Sequence, residues 1–239
     1  MYTMRFEFAY KIKIIYIVCL ICNLHLFTTA FAQPKVVKKL KEYWQIVKED
    51  SLQKMVEVKS AVPAIVYDLR YATENNFMHY QLYKSGRQTF LRLPVVKALV
   101  KMEAELNQQG YGLKIFDAYR PYSITGKMWD LIHDDRYLAD PSKGSGHNRG
   151  LAVDLTIIRL KDGAELDMGT GFDNFTDSAH QSFKNLPAAV LSNRKLLREK
   201  MEKYGFKPLE TEWWHYAWPN DRNYEVLDID FKKLGKKSY

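Results

Sequence analysis

Two short stretches carry side chains that could do chemistry together. Ser145-Gly-His-Asn-Arg-Gly-Leu-Ala-Val-Asp154 supplies an imidazole, His147, and a carboxylate, Asp154. Glu212-Trp-Trp-His215 supplies a second imidazole and a second carboxylate. His147, Asp154 and His215 are a donor set suited to zinc. Three protein donors leave one zinc position open to water, the pattern of a catalytic rather than a structural site. Glu212 then stands beside the last donor, placed to take a proton from that water.

Taken singly, each residue has a plainer use. Asp154 lies between Val153 and Leu155 in a strand that should be buried, so it needs a cation or strong donors. An ordinary buried ion pair would also serve. His147 sits among Gly144, Gly146 and Gly150, which let the backbone turn the imidazole over the strand. The same glycines would suit a surface-loop histidine. His215 falls in an aromatic strand, where a core histidine bonded to a carbonyl is common. Glu212, three positions earlier, faces the other way on a regular strand. It joins His215 only if the strand begins near Trp213 or is bulged. His79, His133 and His180 lack the partner spacing for a second metal, and His180 could support the first from behind.

The elements that must hold these groups can be read from periodicity. Residues 35–57 read as an N-terminal helix, and 64–69 as a strand leading into a polar loop over 70–77. Val95, Leu99, Met102 and Leu106 mark a helix over 94–109, stopped by Gly110. Residues 113–117 form a strand, which ends before Arg120 and Pro121. Ser123 is expected to cap a helix through about Ile132. Residues 144–150 read as a loop, 151–158 as a β-branched strand, 188–204 as a second strong helix, and 213–218 as a last strand. Helices and strands without a regular βαβ repeat argue for an α+β fold.

The chain has 239 residues, enough to bury a core without disulfides. The first 32 read as a secretory signal. Lys11 and Lys13 precede an apolar run from Ile14 to Phe27, and Ala30-Phe-Ala32 offers a cleavage site. An uncleaved anchor is the alternative, though the run is short for a span of about 20 residues. Both cysteines, Cys19 and Cys22, fall in this segment, so the mature chain has no thiol for a disulfide, a nucleophile or a metal. Neither follows a small residue, as a lipid-modified cysteine would. The formal charge of +8 falls to about +6 once the signal is removed. Acids intersperse the bases, so a solvated surface is expected rather than nucleic-acid binding. Residues 33–239 read as one domain, with a helical extension over 33–58 and a basic tail over 232–239.

The motifs taken together resemble the zinc D-Ala-D-Ala peptidases, and within them the vancomycin-resistance-type D-alanyl-D-alanine dipeptidases. The likeness runs in one order from about residue 60 to 230. It covers Asp68-Leu-Arg-Tyr-Ala-Thr-Glu-Asn-Asn-Phe77, Gly110-Tyr-Gly-Leu113 with Asp117-Ala-Tyr-Arg-Pro121, and His147 through Thr156. It continues through Met168-Gly-Thr-Gly-Phe-Asp173 and Glu212-Trp-Trp-His-Tyr216. The resemblance implies a small antiparallel sheet flanked by helices, the Hedgehog-like fold, with one zinc per chain on the sheet. It implies His147, Asp154 and His215 as ligands, Glu212 as general base, and Arg120 on the developing oxyanion, oriented by Asp117. It also implies a free D,D-dipeptide as substrate, its ammonium met by Asp173 and Tyr71 and its body by Ser145. The segment between Asp130 and Ser145 is shorter than the resemblance leads one to expect, which would open one wall of the pocket.

Two rivals remain. A D,D- or L,D-carboxypeptidase acting on peptidoglycan stem peptides would use the same chemistry. A non-catalytic wall-binding module would have no need of Glu212 and Arg120. The signal implies export to the periplasm or beyond, with wall-derived dipeptide as substrate and no stable membrane insertion after cleavage.

Overall fold

The computed structural model describes residues 34–84 and 86–236. The expected signal segment, its cysteines and the last three residues of the basic tail lie outside the described residues. In chain order the elements are β1 (Val36–Val37), α1 (Leu40–Glu49), β2 (Met55–Glu57), α2 (Val58–Ala61), β3 (Val66–Tyr67), β4 (Phe90–Arg92), α3 (Leu93–Gln108), β5 (Tyr111–Asp117), α4 (Tyr122–Trp129), α5 (Gly146–Arg149), β6 (Ala152–Arg159), α6 (Ala188–Lys203), β7 (Lys207–Leu209), β8 (Glu212–Ala217), β9 (Val226–Leu227) and α7 (Phe231–Leu234). This is an α+β fold. Among the described residues, no helix is long and apolar enough to cross a membrane.

The main sheet has the order β3-β5-β6-β8-β7. Its pairings are antiparallel except β3 with β5, which run parallel, so the sheet is mixed rather than wholly antiparallel. The central strand β6 is buried along all but its last residue. Val153, Leu155 and Ile157 face a core that also takes Val95, Leu99, Met102 and Leu106 from α3 and Leu197 and Met201 from α6. Alternation then sends Asp154 to the opposite face.

A bulge on β5 decides what stands beside Asp154. Leu113 pairs with Ile157 and Ile115 with Leu155, but Asp117 pairs with Asp154 because the register shifts after Ile115. In unbroken register Asp117 would stand opposite Val153, on the core face. The extra residue re-aims it. His215 on β8 pairs with Asp154 from the other side. Asp117, Asp154 and His215 therefore form one row across three strands, on one face of the sheet.

Several expected elements differ. The N-terminal helix covers only Leu40–Glu49. Asp50 is extended and its side chain accepts from Leu52 N, turning the chain into β2, which pairs with β4. Ser123 does not cap α4, which starts at Tyr122 and ends at Trp129. The Ser123 amide and hydroxyl instead donate to Asp228 Oδ1 at 3.0 and 2.7 Å. The expected loop over 144–150 contains α5, a single helical turn.

Glu103 is the unexpected member of the apolar face of α3. Burial pushes its carboxyl from the usual 4.5 up to about 7, against a smaller pull from the Leu113 amide. The folded state therefore holds this proton more tightly than the unfolded chain. The associated stability is full below pH 4.5, falls as pH rises towards 7, and is then lost. The loss is on the order of 2 kcal/mol. Between pH 5 and 8 the Glu103→Gln variant is expected to lose less stability than the parent. Urea midpoints at both pH values check this, and equal losses would refute it.

Candidate active site

α5 delivers His147 to the row of the sheet. Ser145 caps the turn, accepting from the Asn148 amide at 3.0 Å, while Asn148 Oδ1 accepts from the Ser145 amide at 3.0 Å. Gly150 ends it with φ +69°, a left-handed conformation that glycine adopts without strain. The His147 Nδ1 lies 2.7 Å from the Ala118 carbonyl oxygen. A carbonyl only accepts, so Nδ1 carries the hydrogen and the Nε2 lone pair is free. Nε2 points at His215 Nδ1, 3.2 Å away, and at Asp154 Oδ2, 3.4 Å away. His215 Nδ1 is 2.9 Å from Asp154 Oδ1. One donor atom from each of the three residues lies within 4.8 Å of the others.

Glu212 opens β8, and its Oε2 is 3.8 Å from His215 Nδ1. The pairing of β6 with β8 stops at His215, and the β7 ladder breaks opposite Glu212. Regular alternation is not enforced over this stretch, which is how a residue three positions away reaches the same site.

Arg120 follows β5 at a corner pinned from both sides. Its own amide donates to the His147 carbonyl at 3.2 Å, and its carbonyl accepts from Asn148 Nδ2 at 2.8 Å. The neighbouring Tyr119 hydroxyl donates to Ile229 O and accepts from Ile229 N. The Arg120 guanidinium donates from Nε and Nη2 to Asp117 Oδ2 at 3.0 and 2.9 Å, and lies over the Tyr71 ring at 5.0 Å. The Tyr83 hydroxyl donates to Asp117 Oδ1 at 2.8 Å.

These groups surround a cavity of about 210 Å³ lined by Arg120, Ser145, His147, Asp154, Asp173, Glu212 and His215, with Tyr71. Asp117 does not line it. It stands behind Arg120 with no exposure, so the structure gives it a positioning place rather than contact with a ligand in the cavity. Tyr71, on a single 3-10 turn over Arg70–Ala72, donates to Asp173 Oδ1 at 3.0 Å. The second Asp173 oxygen is buried and free of hydrogen bonds within the described residues. His180 is not part of the cluster; its Nε2 has Asp177 at 3.9 Å as its ionic neighbour. The segment Asp135–Ala139 lines the cavity, so the short stretch before Ser145 builds a wall where an opening was expected.

Four carboxyl groups, Asp117, Asp154, Asp173 and Glu212, gather around the buried Arg120 guanidinium. Burial, then Asp154 and Asp173, push Glu212 well above its usual range. Burial, then Asp154, push Asp173 up to about 7. Burial raises Asp117 despite the pull of Arg120. Burial also opposes charge on Asp154, but the two imidazoles outweigh it and hold this carboxyl well below the usual range. Such an excess of enclosed acid around an ionised carboxylate and two imidazoles fits a bound dication.

A family model described as D-ala-D-ala dipeptidase, peptidase family M15, matches residues 51–233. The chain belongs to this family. Among the family's curated proteins, the D-alanyl-D-alanine dipeptidase of Escherichia coli (strain K12) is 34% identical over 177 residues, 74% of this chain and 91% of that one. The D-alanyl-D-alanine dipeptidase of Enterococcus faecium is 30% identical over 190 residues, 71% of this chain and 93% of that one. Likeness to solved structures is slighter. A vancomycin-resistance D,D-pentapeptidase in complex with Zn(II) shares 16% identity over 56% of this chain and 75% of that one, with a TM-score of 0.37. Membership makes the protein a metallopeptidase.

Tyr83 and Asn148 are site residues that the sequence alone does not single out. Asn148 lay within a quoted motif, and its place at the third position of a serine-capped turn was the available signal. Tyr83 had none, being one tyrosine in a polar loop.

Proposed function

We propose that this protein hydrolyses the dipeptide D-alanyl-D-alanine to two D-alanines, using one zinc ion per chain. The observation that carries the reading is the junction of two imidazoles, one carboxylate, Glu212 and Arg120 around a single small cavity. His147 Nε2, His215 Nδ1 and an Asp154 oxygen would hold the zinc. Zinc bound there supplies Lewis acidity and makes water nucleophilic near neutral pH.

The chain's own residues do the rest. Glu212 takes the proton of the attacking water and returns it to the leaving amine as the C–N bond breaks. Arg120 faces the carbonyl oxygen as negative charge develops on it. Asp117, braced by Tyr83, keeps the guanidinium aimed. Asp173 and the Tyr71 hydroxyl hold the substrate ammonium, and the free oxygen of Asp173 is the acceptor it needs. The Ser145 hydroxyl already accepts from the Asn148 amide, so its hydrogen is free to donate to the substrate.

The test is hydrolysis of D-Ala-D-Ala by residues 33–239 with zinc, beside L-Ala-L-Ala and a pentapeptide ending in D-Ala-D-Ala. Release of D-alanine from the dipeptide alone is expected. Preferential cleavage of the pentapeptide would move the protein to the carboxypeptidases. A chelator is expected to abolish activity and roughly one equivalent of zinc to restore it.

Export also belongs to this reading. The amino-terminal segment directs the chain out of the cytoplasm and is removed after Ala32, leaving residues 33–239 as one domain that meets dipeptide released from the wall. Mass analysis of the protein from separated cell fractions checks this, and unprocessed chain in the cytosol would end it.

A further inference from the structure

Four aromatic rings stand in succession beside the cavity, and three of them, Tyr71, Phe175 and Tyr137, line it. Tyr71 meets Phe77 edge-on with centroids 6.1 Å apart, Phe77 meets Phe175 at 5.3 Å, and Phe175 meets Tyr137 at 5.0 Å. The series begins at the Tyr71–Asp173 hydrogen bond and ends on the Asp135–Ala139 wall. Phe175 and Tyr137 line the cavity and are also half-exposed, which places them at its rim.

The wall is held firmly enough to act as a barrier. Thr211 Oγ1 donates to the Arg136 carbonyl at 2.8 Å. Leu138 is buried with Tyr71, Met78, Tyr83 and Met128. The Arg136 guanidinium pairs with Asp134 and lies over the Tyr137 ring at 5.3 Å. A cavity of about 210 Å³ is below the usual ~300–1,000 Å³ of ligand pockets.

We infer that Phe175 and Tyr137, with Phe77 packed behind Phe175, are the steric stop that limits the substrate to two residues. The inference rests on the dipeptidase reading of the same cavity. A peptide lengthened at its amino end must continue outward past the Tyr71–Asp173 pair, where Phe175 stands on the cavity wall. The stop is distinct from the charge filter at Asp173, which disfavours any ligand lacking an ammonium there. An added residue meets both.

The experiment compares D-Ala-D-Ala with D-Ala-D-Ala-D-Ala on zinc-loaded parent, Tyr137→Ala, Phe175→Ala, their double variant and Asp173→Asn. Tyr137→Leu keeps an apolar contact with Phe175 and guards against local collapse. The ratio of tripeptide to dipeptide kcat/KM is expected to rise about tenfold or more in the alanine variants, and less in Tyr137→Leu. In a Glu212→Gln background, calorimetry is expected to show tripeptide binding only when the rings are cut back. An unchanged ratio with unchanged tripeptide binding would overturn the inference. So would a rise confined to Asp173→Asn, which would assign the limit to charge alone. If the parent fails to cleave the dipeptide, the dipeptidase reading falls, while the binding measurement still reports on the stop.

Discussion

Glu212→Gln is expected to lower kcat by about 10²–10⁴-fold while the protein keeps its zinc. Glutamine preserves the shape of a residue that is 6% exposed, but its amide takes no proton from water. Glu212 lies outside the trio that would hold the ion, so the metal content should stay near that of the parent. The folded chain should not suffer either. Burial and two neighbouring carboxyls already disfavour charge at this position, and a neutral amide relieves that repulsion. Turnover measured beside metal content and a melting curve separates these effects. Activity within a few-fold of the parent would remove Glu212 from the reaction.

Arg120→Ala is expected to cost about 10²–10³-fold in kcat/KM through loss of charge stabilisation in the transition state. It should also cost about 3–5 kcal/mol of stability, because Asp117 is left buried without its cation. The two losses can be separated. Adding Asp117→Asn to Arg120→Ala removes the stranded charge, so stability should largely return while the rate does not. A double-mutant cycle on both readouts tests this. Recovery of rate with stability would show that Arg120 acts only as the partner of Asp117. Arg120→Lys should fall between, since an ammonium cannot match the two parallel donors now spent on Asp117 Oδ2.

Residue type makes His147, Asp154 and His215 candidate donors, the β-branched strand around Asp154 implies its burial, and the resemblance to the zinc D-Ala-D-Ala peptidases joins the three into one ligand set. The strong helices were legible from their periodicity: seven residues of α3 are buried at helical spacing. What escaped depends on register. Nothing in Tyr111–Asp117 announces that Phe116 and Asp117 break alternation, so Asp117 could be placed near Arg120 but not on the row with Asp154. Spacing alone leaves Glu212 between two faces, and the end of the β6–β8 ladder at His215 is what frees it to join the site. The short helix at the N-terminus was overestimated because Met55, Val56 and Glu57 suit either element, and pairing with β4 decided for strand. Tyr83 became part of the site only through a contact across 34 residues.

The single extra residue on β5 gives the strand two parities, one before the bulge and the other after it. Losing one residue between Ile115 and Asp117 would not weaken the site by degrees. It would either draw the carboxylate into the apolar interior or pull the Ala118-Tyr119-Arg120 corner back along the sheet. The His147 carbonyl partner and the guanidinium would then be displaced together. The spacing of this strand is thus an all-or-none property, and length changes in the protein are expected to be tolerated in its surface loops but not here.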